Sequence, residues 1–153
     1  MDSKSLVTLE LDAVLERLAS YAAFSASKEA AAELRPSKDL DEILERQIGT
    51  REARLLLSVN ESLTVGGARD IRPAVEAAGR GSVLEPHQLL DIKHTLISAR
   101  MIRRYFEKAE GKYPILTAMA EGLSAGSGLI DAINRTLDER GNVLDSASQV
   151  LTS

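Results

Sequence analysis

Cysteine is absent from the 153-residue chain. That excludes a disulfide framework, an iron–sulfur site and thiol catalysis. A chain of this length suits one domain and can bury about 68–70% of its unfolded surface, so neither a metal nor a disulfide is needed to hold it. Tryptophan is also absent, and aromatic residues make up only 3% of the chain, too few for the stacking platforms that read single strands. No run of about 18 apolar residues occurs, so no segment is expected to span a membrane. The start, Met1-Asp2-Ser3-Lys4-Ser5, has no apolar core of a signal peptide. Together with the missing cysteines, this predicts a cytoplasmic protein. Positive charge is in deficit: the net charge is −4, which removes a basic footprint over the whole chain and leaves room only for a local patch. A phosphate loop, Gly-x-x-x-x-Gly-Lys-Ser/Thr, is missing; Gly126-Ser127-Gly128 has neither the spacing nor the lysine. Internal repeats and low-complexity segments are missing too.

What is present is helical periodicity over nearly the whole length. Leu11, Val14, Leu15, Leu18 and Ala22 form one apolar stripe. Ser25 is placed to cap a short helix through Leu34 that ends at Pro36. Asp39 and Glu42 have capping-box spacing and open a helix through Leu40, Ile43, Leu44, Ile48 and Leu55. Residues 58–69 read as a loop around Gly66-Gly67, whose glycines permit positive φ. Asp70 is placed to cap the next helix, with Pro73 in its first turn and Gly79 and Gly81 at its end. Pro86 begins the longest helix, carried by Leu89, Ile92, Leu96, Ala99, Ile102 and Phe106 to about Glu110, with Leu96 expected in the core. Pro114 opens a short helix, 122–128 reads as flexible, and Leu129, Ile130, Ile133 and Leu137 form a further helix.

Residues 137–144 differ: Leu137 to Leu144 around Gly141 predicts a short extended hairpin. Asp145 or Ser146 would then cap a new helix, only about two turns of which precede Ser153. Helices that short are marginal alone, so the chain is expected to be truncated from something longer. The fold expected is all-α, about seven helices packed ridge into groove, with a short β-hairpin near the C-terminus. Residues 1–136 are expected to form the helical core and residues 137–153 the hairpin and the start of the next helix.

Five strings, in order, carry a resemblance: Leu9-Glu10-Leu11-Asp12; Leu34-Arg35-Pro36-Ser37; Gly66-Gly67-Ala68-Arg69-Asp70-Ile71-Arg72-Pro73-Ala74; Gly81-Ser82-Val83-Leu84-Glu85-Pro86 with Leu89-Leu90-Asp91; and Gly141-Asn142-Val143-Leu144-Asp145-Ser146-Ala147-Ser148. Over nearly its whole length the chain resembles the N-terminal core of the second bacterial MutS family, the branch distinct from mismatch-repair MutS. The order Arg-Asp-Ile, Gly, Pro-x-x-Leu-Leu is also similar to the core of mismatch-repair MutS. The resemblance implies that residues from Asp145 onward begin a long lever helix. It implies a parent that is a homodimeric, DNA-binding ATPase using ATP and Mg, with levers, a clamp and an Smr endonuclease domain. It further implies work on branched DNA in suppressing recombination, or on ribosomes and RNA in ribosome quality control. A mismatch-binding domain is not expected, because the apolar stripes begin at Leu11 and no Phe-x-Glu motif occurs; Phe24 precedes Ser25-Ala26 and Phe106 precedes Glu107-Lys108. For the fragment itself no catalytic residue, metal or cofactor is expected. Its expected partners are the remaining parts of the parent chain, not a membrane.

Three constellations bear on function. Arg100, Arg104 and Lys108 recur every fourth residue, with Arg103 beside them; this is either a phosphate-tracking stripe or a solvated face whose cations suit a helix C-terminus. Gly66, Gly67, Asp70 and Arg72 are either an anion-binding turn or a structural helix start. His87 and His94 lie seven residues apart on one helix, where metal pairs prefer three or four. Three functions follow: a structural relay between ATPase and clamp, a direct nucleic-acid-binding module using the Arg100–Lys108 face, and a protein-interaction or dimerisation module.

Overall fold

The computed structural model describes residues 8–60, 63, 65, 67–109 and 111–147, with only the backbone of Ser146. Among them are seven α-helices: α1 (Leu11–Ser20), α2 (Ser25–Ala32), α3 (Leu40–Val59), α4 (Arg72–Gly79), α5 (Pro86–Glu107), α6 (Pro114–Glu121) and α7 (Ser127–Thr136). A single 3-10 turn, Asp145–Ala147, follows.

The helix starts follow local chemistry. Asp39 caps α3, its carboxylate accepting the N–H groups of Asp41 at 2.9 Å and Glu42 at 3.2 Å. The reciprocal half of a capping box is not made there: the Asp39 N–H donates to the Ser37 hydroxyl at 3.1 Å, and Glu42 is held by Ser37 and Arg46. Pro86 and Pro114 each stand at the first position of their helices, where the missing N–H has no intrahelical partner to lose. At α5 the Gln88 side chain also accepts the Glu85 N–H at 2.8 Å. Two expected caps shift by one residue. Ser25 is the first residue of α2, not its cap, and Ile71 occupies the cap position of α4.

α5 organises the packing. Its 22 residues extend about 33 Å, and its two halves enter different apolar clusters. The N-terminal half brings Ile92, Leu89, Leu90 and Leu96 against Ala74, Ile133 and Leu137. The C-terminal half brings Phe106, Ile102 and Tyr105 against Leu56, Tyr113 and Ala120. Tyr113 is 1% exposed, and Phe106 meets both Tyr105 and Tyr113 edge-on, the favoured aromatic geometry. Leu96 is half-buried rather than fully buried, because it packs at the rim of its cluster beneath the start of α7.

Glycine enforces two close approaches on α5. Gly67 lies where a Cβ would meet the Ser98 hydroxyl, so closeness explains it; its φ is not positive. Gly126 does have a positive φ of 52°, and a Cβ there would lie 2.7 Å from Leu96 Cδ2. The segment that reads as flexible is therefore pinned at Gly126.

The expected hairpin near the C-terminus does not form. Between 137 and 143 there is one isolated bridge, Leu137 with Val143, and no strand among the described residues. The Asp138 carboxylate explains why. It accepts the N–H groups of Arg140 and Asn142 and the Asn142 side-chain amide, all at 2.8 Å. Those side-chain bonds curl the backbone into a closed loop and take donors that a ladder would need. Of the lever helix expected from Asp145, the described part is the 3-10 turn; residues 148–153 lie outside the described residues, as do Met1–Val7, Gly66 and Glu110.

Candidate nucleic-acid interface

The four basic residues singled out in the sequence lie on the C-terminal half of α5, but they are not equivalent. Arg103 is committed: its Nε donates to Glu107 at 3.0 Å and its Nη1 to the Leu123 carbonyl at 3.2 Å. It joins α5 to the end of α6, which ties down two of its five N–H donors and holds the guanidinium against a carboxylate. Arg104 and Lys108 are exposed and Arg100 is half-buried; none of the three has a carboxylate within salt-bridge distance among the described residues. Beyond them Lys112 Nζ stands 5.4 Å above the Tyr113 ring, a cation–π distance. A hollow of about 260 Å³ between Tyr105, Lys108, Ala109, Lys112 and Tyr113 closes this end.

The glycine-rich turn before α4 is a junction. The Arg72 guanidinium grips Glu29 of α2 through two bonds, 2.7 and 3.0 Å, and Asp70 through its Nε at 2.8 Å. Asp70 also accepts the Arg72 N–H at 3.2 Å and the Ser25 hydroxyl at 3.3 Å. These contacts hold the Asp70 carboxyl down at about 2 and the Glu29 carboxyl below its ordinary value, the Arg72 side chain being the main cause in both. With its fork on two carboxylates, Arg72 ties α2 to the α4 start.

Two buried charges lie outside the residues that the sequence singles out. Glu52 of α3, 7% exposed, accepts the N–H groups of Ile115 at 3.2 Å and Leu116 at 3.0 Å. It caps α6 from another helix, where a carboxylate suits both the orphan donors and the helix dipole. Lys93 of α5, 2% exposed, donates to Glu139 at 2.9 Å. The signal for each was only a charge on an apolar stripe, whose partner lies 46 or more residues away. His94 stands 3.8 Å from Glu139 and His87 is exposed. No group of three or more metal-ligating side chains occurs among the described residues. A hollow of about 900 Å³ lies between α1, α3 and α6; its apolar wall includes Leu11, Leu15, Leu34, Ile115, Leu116 and Met119, and of its two arginines Arg46 is paired with Glu42.

No family model matches the chain. Individual proteins do. Proteins named endonuclease MutS2 from Symbiobacterium thermophilum and Thermomicrobium roseum are 40% and 37% identical to it, over 99% and 100% of this chain and 19% and 20% of theirs. That from Brevibacillus brevis is 36% identical over 97% of this chain. The chain is homologous to a segment of MutS2. It spans about a fifth of the length of the curated relatives it matches, and it fits an N-terminal MutS2 domain. No described helix is long and apolar enough to cross a membrane.

Proposed function

We propose that this chain is the scaffold of a MutS2-type protein: a structural core and lever segment. In this reading residues 1–136 are the core domain, and residues 137–153 are the loop and the beginning of the lever. The whole protein would be a cytoplasmic homodimer that binds nucleic acid, uses ATP with Mg, and cuts DNA through an Smr domain. Branched DNA or the ribosome would be its target, reached through levers and clamp. The observation that supports a relay is α5, one uninterrupted helix embedded at both ends in separate apolar clusters. A displacement at one cluster then reaches the other through a rigid element.

A second reading, a direct nucleic-acid module, is favoured by the cations of Arg100, Arg104 and Lys108, which make no ion pair among the described residues. Against it stand the net charge of −4 and the commitment of Arg103 to Glu107 and Leu123. Titrating the chain into a branched DNA junction distinguishes the two. The relay predicts binding no tighter than about 10⁻⁴ M at physiological salt, the weak end of non-specific binding. Low-micromolar binding that falls linearly on a log–log salt plot, and is lost in Arg100→Glu with Arg104→Glu while the fold persists, would replace the relay with the grip.

A further inference from the structure

Lys93 is the most deeply buried charged side chain among the described residues, 2% exposed. An ammonium stripped of water requires a counter-charge, and among the described residues Glu139 Oε1 supplies it at 2.9 Å. Glu139 itself is 77% exposed. It belongs to the Asp138 loop, which lies along one face of α5. Next to the ion pair, Gly141 lies against Pro86 and Leu90, a Cβ there falling 3.5 and 3.6 Å from their side chains. Pro86, Leu90 and Lys93 are spaced i, i+4, i+7, one stripe of the helix.

The loop is rigid within itself and weakly held by apolar contact. Asp138 fixes its turn through Arg140 and Asn142, and the Leu144 N–H, donating to the Thr136 carbonyl at 2.9 Å, anchors the loop's exit to the end of α7. Leu137 is buried, 4% exposed, but it precedes the turn; Val143 is 54% exposed, and Arg140 and Asn142 are exposed. We propose that residues 138–143 form a charge-locked latch: with the loop's two ends anchored on α7 at Leu137 and Leu144, the Lys93–Glu139 pair holds the stretch between them down against α5. Releasing the pair lets the loop lift from α5 while both clusters on α5 stay packed. The latch deepens the scaffold reading and rests on it, because about four-fifths of the length of the matched relatives lies outside the part this chain covers.

The absence of cysteine allows a direct test. Nitroxides are attached through Met101→Cys on the exposed side of α5 and Arg140→Cys in the loop, and their separation is measured by pulsed electron–electron resonance in the full 153-residue chain. The parent pair should give one narrow distance, and Glu139→Gln should broaden it. Because Glu139→Gln also strands a buried ammonium, the double variant Lys93→Met with Glu139→Gln is measured beside it. The double variant should regain the thermal midpoint yet keep the broad distribution, since the lock is gone and the buried charge with it. A distance that stays narrow in Glu139→Gln overturns the latch. So does a double variant in which the distribution broadens only together with loss of α5 helicity. Neither result touches the junction titration, so the latch and the scaffold reading fall separately.

Discussion

The α5–α7 body and the α1–α3 layer have the same kind of sequence and different interiors. Both carry aliphatic residues at helical spacing. In the body those residues meet: Tyr113, Ile130, Ile133, Ala120 and Leu137 are all 4% exposed or less. In the layer most do not. α1 buries Leu15 alone, α2 buries nothing, and Val14 and Leu18 are 58% and 44% exposed. On α3, Leu40, Leu44, Ile48 and Leu55 are exposed while Glu52 and Leu56 are buried. Apart from Leu56, which joins the cluster of Phe106, Tyr113 and Ala120, the layer is held by polar fixings: Arg72 on Glu29 and Asp70, and Glu52 on α6. Periodicity shows that a helix forms; it does not show that the apolar stripe has a partner within the chain.

The largest contrast should appear on truncation. Phe106→Ala should cost about 3–5 kcal/mol in chemical denaturation, a large part of a typical stability of about 5–15 kcal/mol. Val14→Ala in the layer should change the unfolding free energy by no more than about 0.5 kcal/mol. Equal losses would erase the distinction between body and layer.

Glu52→Ala comes next. It strips α6 of its cap and leaves the Ile115 and Leu116 N–H groups without an acceptor, so it should cost about 2 kcal/mol. Glu52→Gln, which keeps one acceptor oxygen, should recover part of that. If Glu52→Ala is silent, α6 is held by its apolar face alone.

The smallest effect is the acid response of the layer. Asp70 and Glu29 have depressed folded-state values, so their contribution is fully present above the unfolded carboxylate range of about 4. It is lost as pH falls through the folded value, about 2 for Asp70. Amide resonances of α2 should therefore shift between about pH 4 and pH 2. In Arg72→Gln the Asp70 carboxyl, followed by NMR, should titrate close to its ordinary value. A wild-type midpoint near 4 would show that the Arg72 grip does not persist in solution.

Much of the fold was legible because its punctuation is local. Asp39, Pro73, Pro86 and Pro114 mark helix starts from their own backbone needs, and Pro36 marks an interruption. The hairpin was misread because Gly141 signals a turn equally well in a ladder and in a side-chain-closed loop; Asp138 decides between them, and its three bonds depend on three-dimensional closure. Of the candidate basic face, the spacing of Arg100, Arg104 and Lys108 was legible. The capture of Arg103 by the Leu123 carbonyl was not, because nothing local to α5 announces it. The same holds for Glu52 and Lys93, whose partners lie far along the chain.

A relay requires α5 to behave as one cooperative element from Pro86 to Glu107. Native-state hydrogen exchange at single-residue resolution measures this directly. The account predicts that amides around Ile92 and around Phe106 open with the same free energy and the same denaturant dependence, equal to those of global unfolding, while α1 and α2 open at lower cost. Separate opening of the two halves of α5, one cluster melting while the other holds, would contradict it.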